Sequence, residues 1–253
     1  MKKILTLYKK LGETPLECLN RFKKTHPEYK ELPMTYAGRL DPMAEGLLLV
    51  LAGDKAKEKE KFTDLNKEYE FEVILGAETD TGDLLGVIHS SKTKQDPQNS
   101  REISFSDIGK LKGKFLQEYP VFSSRTVKGI PLWQLARENK LKDIEIPKKE
   151  INIRSIKYLS SRKITKDKLE KEILKRINLV TGDFRQDKIK KAWIGYFKKS
   201  KNKQFVIYKF KVQCSSGTYI RSLVQRIGGV VGASSCVFSI KRTKVGNYVK
   251  IKP

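Results

Sequence analysis

The chain has 253 residues, enough to bury the core of one large domain or two small ones. Its 53 Lys and Arg face 29 Asp and Glu, and the resulting net charge of +24 attracts polyanions, nucleic acid ahead of anionic membrane. With 2 His and 3 Cys (Cys18, Cys214, Cys236) and no Cys-x-x-Cys pair, disulfide frameworks, zinc sites and Ser-His or Cys-His nucleophiles have little to work with. Reduced, buried thiols of a cytoplasmic protein are expected, and any chemistry must run on carboxylate, Tyr, Lys or Arg. The longest apolar run, 47–52, is too short to span a membrane, and the basic N-terminus lacks the apolar stretch of a signal peptide.

In chain order, Thr14-Pro15-Leu16-Glu17 reads as a capping box with Pro at the first helical position. Leu16, Leu19 and Phe22 form the expected apolar stripe, and His26-Pro27 stops the helix. Residues 47–52 read as a short buried strand, 55–66 as a solvated helix, and 67–75 as a strand with Tyr69, Phe71, Val73 and Leu75 on one face. Residues 78–83 form an acidic hairpin turn with Gly82 at positive φ, a reading preferred to a metal site, and 84–89 a return strand. Residues 90–101 read as a loop; Ser106 caps a short helix through Leu111; 113–130 is irregular; 131–139 is helical; 144–159 holds strand pieces. A Lys-rich insertion at 162–203 carries helices at 166–179 (Leu169, Ile173, Leu174, Ile177) and 186–197. A strand at 204–214, a helix at 218–228 (Ile220, Leu223, Val224, Ile227) and a basic strand at 238–245 follow. The pattern predicts an α+β fold with a mixed, mainly antiparallel central sheet flanked by helices and loops.

The segment Gly38-Arg39-Leu40-Asp41-Pro42 has two local readings. Asp followed by Pro is a common helix start, with Asp41 as the cap. Alternatively, Gly38 and Gly46 allow a backbone to approach a ligand closely, with Arg39 holding a phosphate.

The stretch 36–57, with GRLDPMAEGLLLVLAGDKAK, resembles the signature of the TruB family of tRNA pseudouridine synthases, G-x-L-D-P-x-A-x-G. Five further blocks stand in the family's order: Tyr8-Lys9-Lys10-Leu11-Gly12-Glu13-Thr14-Pro15 before it, then Lys67-Glu68-Tyr69 with Leu75-Gly-Ala-Glu-Thr-Asp-Thr-Gly-Asp83; Gln117 to Gly129; Pro131-Leu-Trp-Gln-Leu-Ala-Arg137; and Cys214-Ser-Ser-Gly-Thr-Tyr-Ile-Arg-Ser-Leu223. The resemblance implies an isomerase with a single pseudouridine synthase domain across 1–253 and a cleft across its sheet. It would convert uridine 55 in the T-loop of tRNA to pseudouridine, as a monomer, with neither metal nor organic cofactor. Asp41 would be the nucleophile, Arg221 its ionic partner, and Tyr69 the ring that stacks on the target base. Tyr36, Arg39, Lys57, Arg125, Lys128, Tyr219, Lys241 and Arg242 are the residues expected to meet RNA.

Three departures stand out. Tyr36 occupies the place of the family's usual His, and Arg125 replaces its usual Lys. The chain also stops at Pro253, where many members continue into a PUA domain, so that domain is expected to be absent and the Lys-rich insertion to supply RNA surface instead. A reading from another class is an RNA-binding, tRNA-folding chaperone in which catalysis is secondary. A third is a catalytic subunit working with guide RNA, which would lean on the missing domain.

Overall fold

The computed structural model describes residues 2–89, 103, 105–142 and 144–249. Strand β1 (Ile4–Lys9) leads through α1 (Pro15–Thr25) and β2 (Met34–Tyr36) into β3 (Ala44–Ala52). Helix α2 (Lys59–Thr63), β4 (Lys67–Leu75) and the short pair β5 (Glu78–Thr79) and β6 (Ile88–His89) follow. Next come α3 (Phe105–Gly109), β7 (Gly113–Glu118), β8 (Thr126–Val127), β9 (Ile130–Pro131), α4 (Leu132–Arg137) and the long β10 (Lys148–Thr165). Helices α5 (Lys166–Asn178) and α6 (Gln186–Lys199) connect β10 to β11 (Gln204–Cys214), and α7 (Ile220–Val231), β12 (Ser235–Val245) and β13 (Tyr248–Val249) complete the order.

The main sheet runs β1-β3-β12-β4-β11-β10-β7, with β2 on β3 and β13 on β12. Its β3–β12 pair is parallel and the others are antiparallel, which is the mixed α+β arrangement expected. The two faces of β4 organise the core. Tyr69, Phe71 and Val73 face Leu223, Val224 and Ile227 of α7, while Ile74 turns to the opposite side and joins Trp193 and Phe197 of α6.

Several local expectations need correction. The α1 capping box forms, with Thr14 N donating to Glu17 Oε2 at 2.6 Å, but Leu16 is 57% exposed. Cys18 and Leu19 carry the buried stripe, because they meet Leu48 and Val50 of β3, and Phe22 stacks on His26 instead. Residues 55–66 split into a 3₁₀ turn and the short α2. The return strand shrinks to Ile88–His89, since Leu84 and Leu85 are buried beneath α6, where Trp193 Nε1 donates to the Leu84 carbonyl at 3.2 Å. Residues 90–101 lie outside the described residues. Helix α3 begins at Phe105, so Ser106 stands inside it rather than at its cap.

The segment expected to be irregular contains β7, whose one fully buried side chain is Gln117 while Leu116 faces outward. Such an edge strand shows no apolar alternation to read. Strand β10 likewise runs on to Thr165, paired to Gln204 of β11, so the insertion leaves the sheet at Lys166 rather than 162, and its first helix begins at Lys166 as expected. Lys157–Lys163 are exposed, which erases the alternation there.

The Lys-rich insertion is therefore part of the core on one side. Leu169, Ile173, Ile177, Ile189, Trp193 and Phe197 are all buried against the sheet. Deleting the hairpin would strip that face. Trp193→Ala should cost about 3–5 kcal/mol, read as a lowered urea midpoint; an unchanged midpoint would show the hairpin to be a dispensable appendage.

Candidate active site

Asp41 does not cap a helix. Ala44 N donates to the Asp41 carbonyl at 2.9 Å in a turn, and the chain goes directly into β3. Two buried cations fix this turn from beneath. Lys9 Nζ donates to the carbonyls of Ala44 at 2.5 Å and Lys10 at 3.0 Å. Arg242 donates from Nε to Leu47 O at 2.8 Å, and from its two terminal nitrogens to Arg39 O and Gly38 O, each at 3.2 Å. Gly12 N closes the set with a bond to Pro42 O at 2.9 Å. Gly46, expected to admit a ligand, instead admits β12: at its φ of +111° a Cβ would stand 2.3 Å from the Arg242 carbonyl oxygen.

Arg221 lies on the first turn of α7 and is 3% exposed. Its Nε donates to Asp41 Oδ2 at 2.8 Å, one terminal nitrogen to Thr81 O at 2.8 Å and the other to Phe122 O at 3.1 Å. Asp83 Oδ2 stands 3.9 Å from the same Nε. Burial pulls the guanidinium down, but the carboxylates of Asp41 and Asp83 outweigh it and hold Arg221 above its ordinary value. Asp83 is a site residue that sequence reasoning missed. The turn reading explained it locally, with Gly82 at φ +79°, and nothing local ties residue 83 to residue 221. Its Oδ1 accepts from Thr81 Oγ1 at 2.7 Å and Leu85 N at 3.0 Å, and burial raises its pKa despite the nearby arginine.

Tyr69 is buried, with Arg242 and Asp41 both near enough to act on its hydroxyl; burial raises its pKa and Arg242 opposes the shift. Tyr219 is half-buried, edge-on to Tyr119 at 5.7 Å between ring centroids, and its pKa is raised by burial and by Asp41. The structure thus gathers Asp41, Tyr69, Tyr219 and Arg221. Tyr36 is half-buried on β2, with Arg39 and Lys59 each 6.0 Å from its ring centre. Arg39, Lys57, Arg125 and Lys128 are exposed, Lys128 at the tip of the β8–β9 hairpin, and Lys241 is half-buried. Arg242 is the exception to the expected RNA-facing set. At 1% exposure, with its guanidinium on three carbonyls, it offers no surface to phosphate. Among the described residues no three His, Cys, Asp or Glu converge as metal ligands, and no helix is long and apolar enough to cross a membrane.

Residues 28–176 match the family described as TruB family pseudouridylate synthase (N terminal domain). The chain is 27% identical over 248 residues to tRNA pseudouridine synthase B of Limosilactobacillus reuteri, covering 98% of this chain and 68% of that protein. Against the protein of the same name from Francisella philomiragia the identity is 30%, over 84% of this chain and 56% of the relative. The chain therefore spans between about half and two-thirds of the length of these relatives. Among solved structures, a crystal structure of a Cbf5-Nop10-Gar1 complex shares the fold, with a TM-score of 0.55 and 16% identity over 98% of this chain and 50% of the other.

The buried lysines beside the site make stability depend on pH. Burial lowers both Lys9 and Lys67 to about 8. Below that pH the folded state carries the full cost of two buried charges; as pH climbs towards the ordinary lysine value of about 10.4, the unfolded chain binds the extra protons and stability rises. Cys18 and Cys214, pushed up to about 11 by burial, and Cys236, pushed up further by the same cause, act in the opposite sense as unfolded thiols ionise at about pH 8.5. Urea unfolding should therefore show stability increasing between about pH 7 and 8, before the thiols offset it, and Lys67→Met should flatten that rise. A wild-type profile that is level or falling there would contradict the assignment.

Proposed function

From the chain's membership of the TruB family of pseudouridylate synthases, together with the Asp41–Arg221 pair, we propose that it isomerises uridine 55 in the T-loop of transfer RNA to pseudouridine. The observation that carries this reading is the asymmetry of that pair. The Arg221 side chain is 3% exposed, whereas 36% of the Asp41 side chain remains open to solvent. Arg221 draws on one carboxylate oxygen from below, and the exposed part of the carboxylate faces a substrate as the nucleophile.

The reaction breaks the N1–C1′ glycosidic bond, turns the uracil and forms a C5–C1′ bond. Atoms balance because the proton leaving C5 is matched by one gained at N1. Attack by Asp41 on C6 of the base or on C1′ of the ribose would divide this into easier steps. Tyr69 would support the uracil; burial keeps its hydroxyl protonated at neutral pH, so it would carry the C5 proton only as a relay, passing its own proton on towards N1 as it takes that one. The target base is stacked within a folded loop, so it must be extruded at a cost of a few kcal/mol. Arg39, Lys57, Arg125 and Lys128 would help meet that cost through phosphate contacts, and recognition would rest on loop shape. Affinity should then fall with added salt.

Asp41→Asn is close to isosteric and removes the nucleophile. Incubated with a T-loop transcript, the variant should form no detectable pseudouridine while binding the transcript within a few-fold of wild type. Retained product formation would sink the proposal.

A further inference from the structure

Residues 179–185 join α5 to α6, and this hairpin tip touches both walls of the candidate site. On the Asp41 side, Leu179 packs against Gly12, whose N–H holds the Pro42 carbonyl. The fit is close: at the Gly12 φ of +90°, a Cβ would lie 2.4 Å from the Leu179 oxygen. Thr181 Oγ1 adds a bond to Glu17 Oε1 at 2.5 Å, tying the tip to the start of α1.

On the Arg221 side, Arg185 is the connecting residue. Its two terminal nitrogens donate to Asp80 Oδ2 at 2.8 Å and Oδ1 at 3.3 Å, and its guanidinium lies 4.3 Å from the centre of the Phe122 ring. Asp80 and Phe122 belong to the two segments whose carbonyls, at Thr81 and Phe122, hold Arg221. Asp80 Oδ1 also accepts from Val87 N at 2.9 Å, which stiffens the same turn. Arg185 has a left-handed φ of 64°, a backbone state that a long side chain keeps only where its surroundings hold it. The hairpin behind the tip is anchored by Ile177, Ile189 and Trp193 in the core, so the tip is presented on a rigid support.

We infer that the α5–α6 hairpin is a brace for the site and that Arg185 is a positioning residue, fixing the 79–83 turn and the Phe122 segment around Arg221. The role needs Arg rather than Lys, because a planar fork can pair both Asp80 oxygens while stacking on a ring, and an ammonium cannot. The brace stands on geometry alone; its effect on rate rests on the proposed isomerase activity.

The full-length chain with Arg185→Ala, and separately Arg185→Lys, tests it by amide hydrogen exchange and by single-turnover pseudouridine formation. Arg185 is partly exposed and lies outside the core, so both variants should fold. In Arg185→Ala, exchange should accelerate at least about tenfold in residues 79–83 and 121–125 and stay unchanged in β3, β4 and β11, as expected of a local rather than global opening. The rate at saturating tRNA should fall roughly tenfold to hundredfold, as misplacement of a catalytic group predicts, with Kd for tRNA within about twofold of wild type. Arg185→Lys should recover only part of the loss. Unchanged exchange in both segments overturns the brace, as does a variant whose defect lies wholly in Kd, which would make Arg185 an RNA contact. If the wild-type chain forms no pseudouridine, the proposed activity fails, and the exchange measurement still decides the brace.

Discussion

A guanidinium at 3% exposure imposes conditions on everything around it. Removing that charge from water costs several kcal/mol unless each donor finds an acceptor and a counter-charge stands close. Arg221 meets the condition with acceptors from three separate parts of the chain, Asp41 before β3, Thr81 in the turn after β5, and Phe122 beyond β7. No local segment could satisfy it. The site therefore exists only once β3, β4 and β12 have paired and α7 has settled on their face. Removing one acceptor would leave a buried donor unpaired, a larger penalty than the bond's own net worth.

The two cations beneath the Asp41 turn act on backbone rather than on carboxylate. Lys9 and Arg242 collect the carbonyls of residues 38 and 39 ahead of the turn and of residues 44 and 47 in β3. Irregular buried backbone at the entry to a strand is stable only if its polar groups are satisfied. Their burial explains why a chain rich in Lys and Arg contains cations that no polyanion can reach. Net charge describes the surface field, and it says nothing of which members contribute to that field.

Most strands and helices were legible where one face is buried and the other wet, as in 67–75, 204–214 and α7. Legibility failed where burial was one-sided in an unexpected phase or missing. In α1 the helix and the burial of Leu19 were read correctly but the phase of the stripe was not, because Pro15 and Cys18 pack where Leu16 was expected. The edge strand β7 and the outer half of β10 expose residues on both sides, leaving no period to detect. For the candidate site, short motifs marked Asp41, Tyr69 and Arg221 as a group, with Tyr219 placed among the residues expected to meet RNA. Asp83 stayed hidden because its turn had a sufficient local explanation. Arg242 was misread because a buried arginine bonding carbonyls looks, in sequence, like any other member of a basic strand.

The position of Asp41 at a strand entry has a chemical consequence. A carboxylate that caps a helix has its oxygens engaged by backbone N–H groups of the first turn, and its side chain lies along the helix start. At the head of β3 there are no such donors. The turn is closed through its carbonyls by Lys9, Gly12 and Arg242, so the Asp41 side chain is not needed to hold the backbone. It meets instead a single guanidinium, on one oxygen, from the buried side. An Asp-Pro pair after Gly-Arg-Leu would hold backbone at a helix start; in this setting other residues hold the backbone, and the carboxylate is left paired with Arg221 and partly open to solvent.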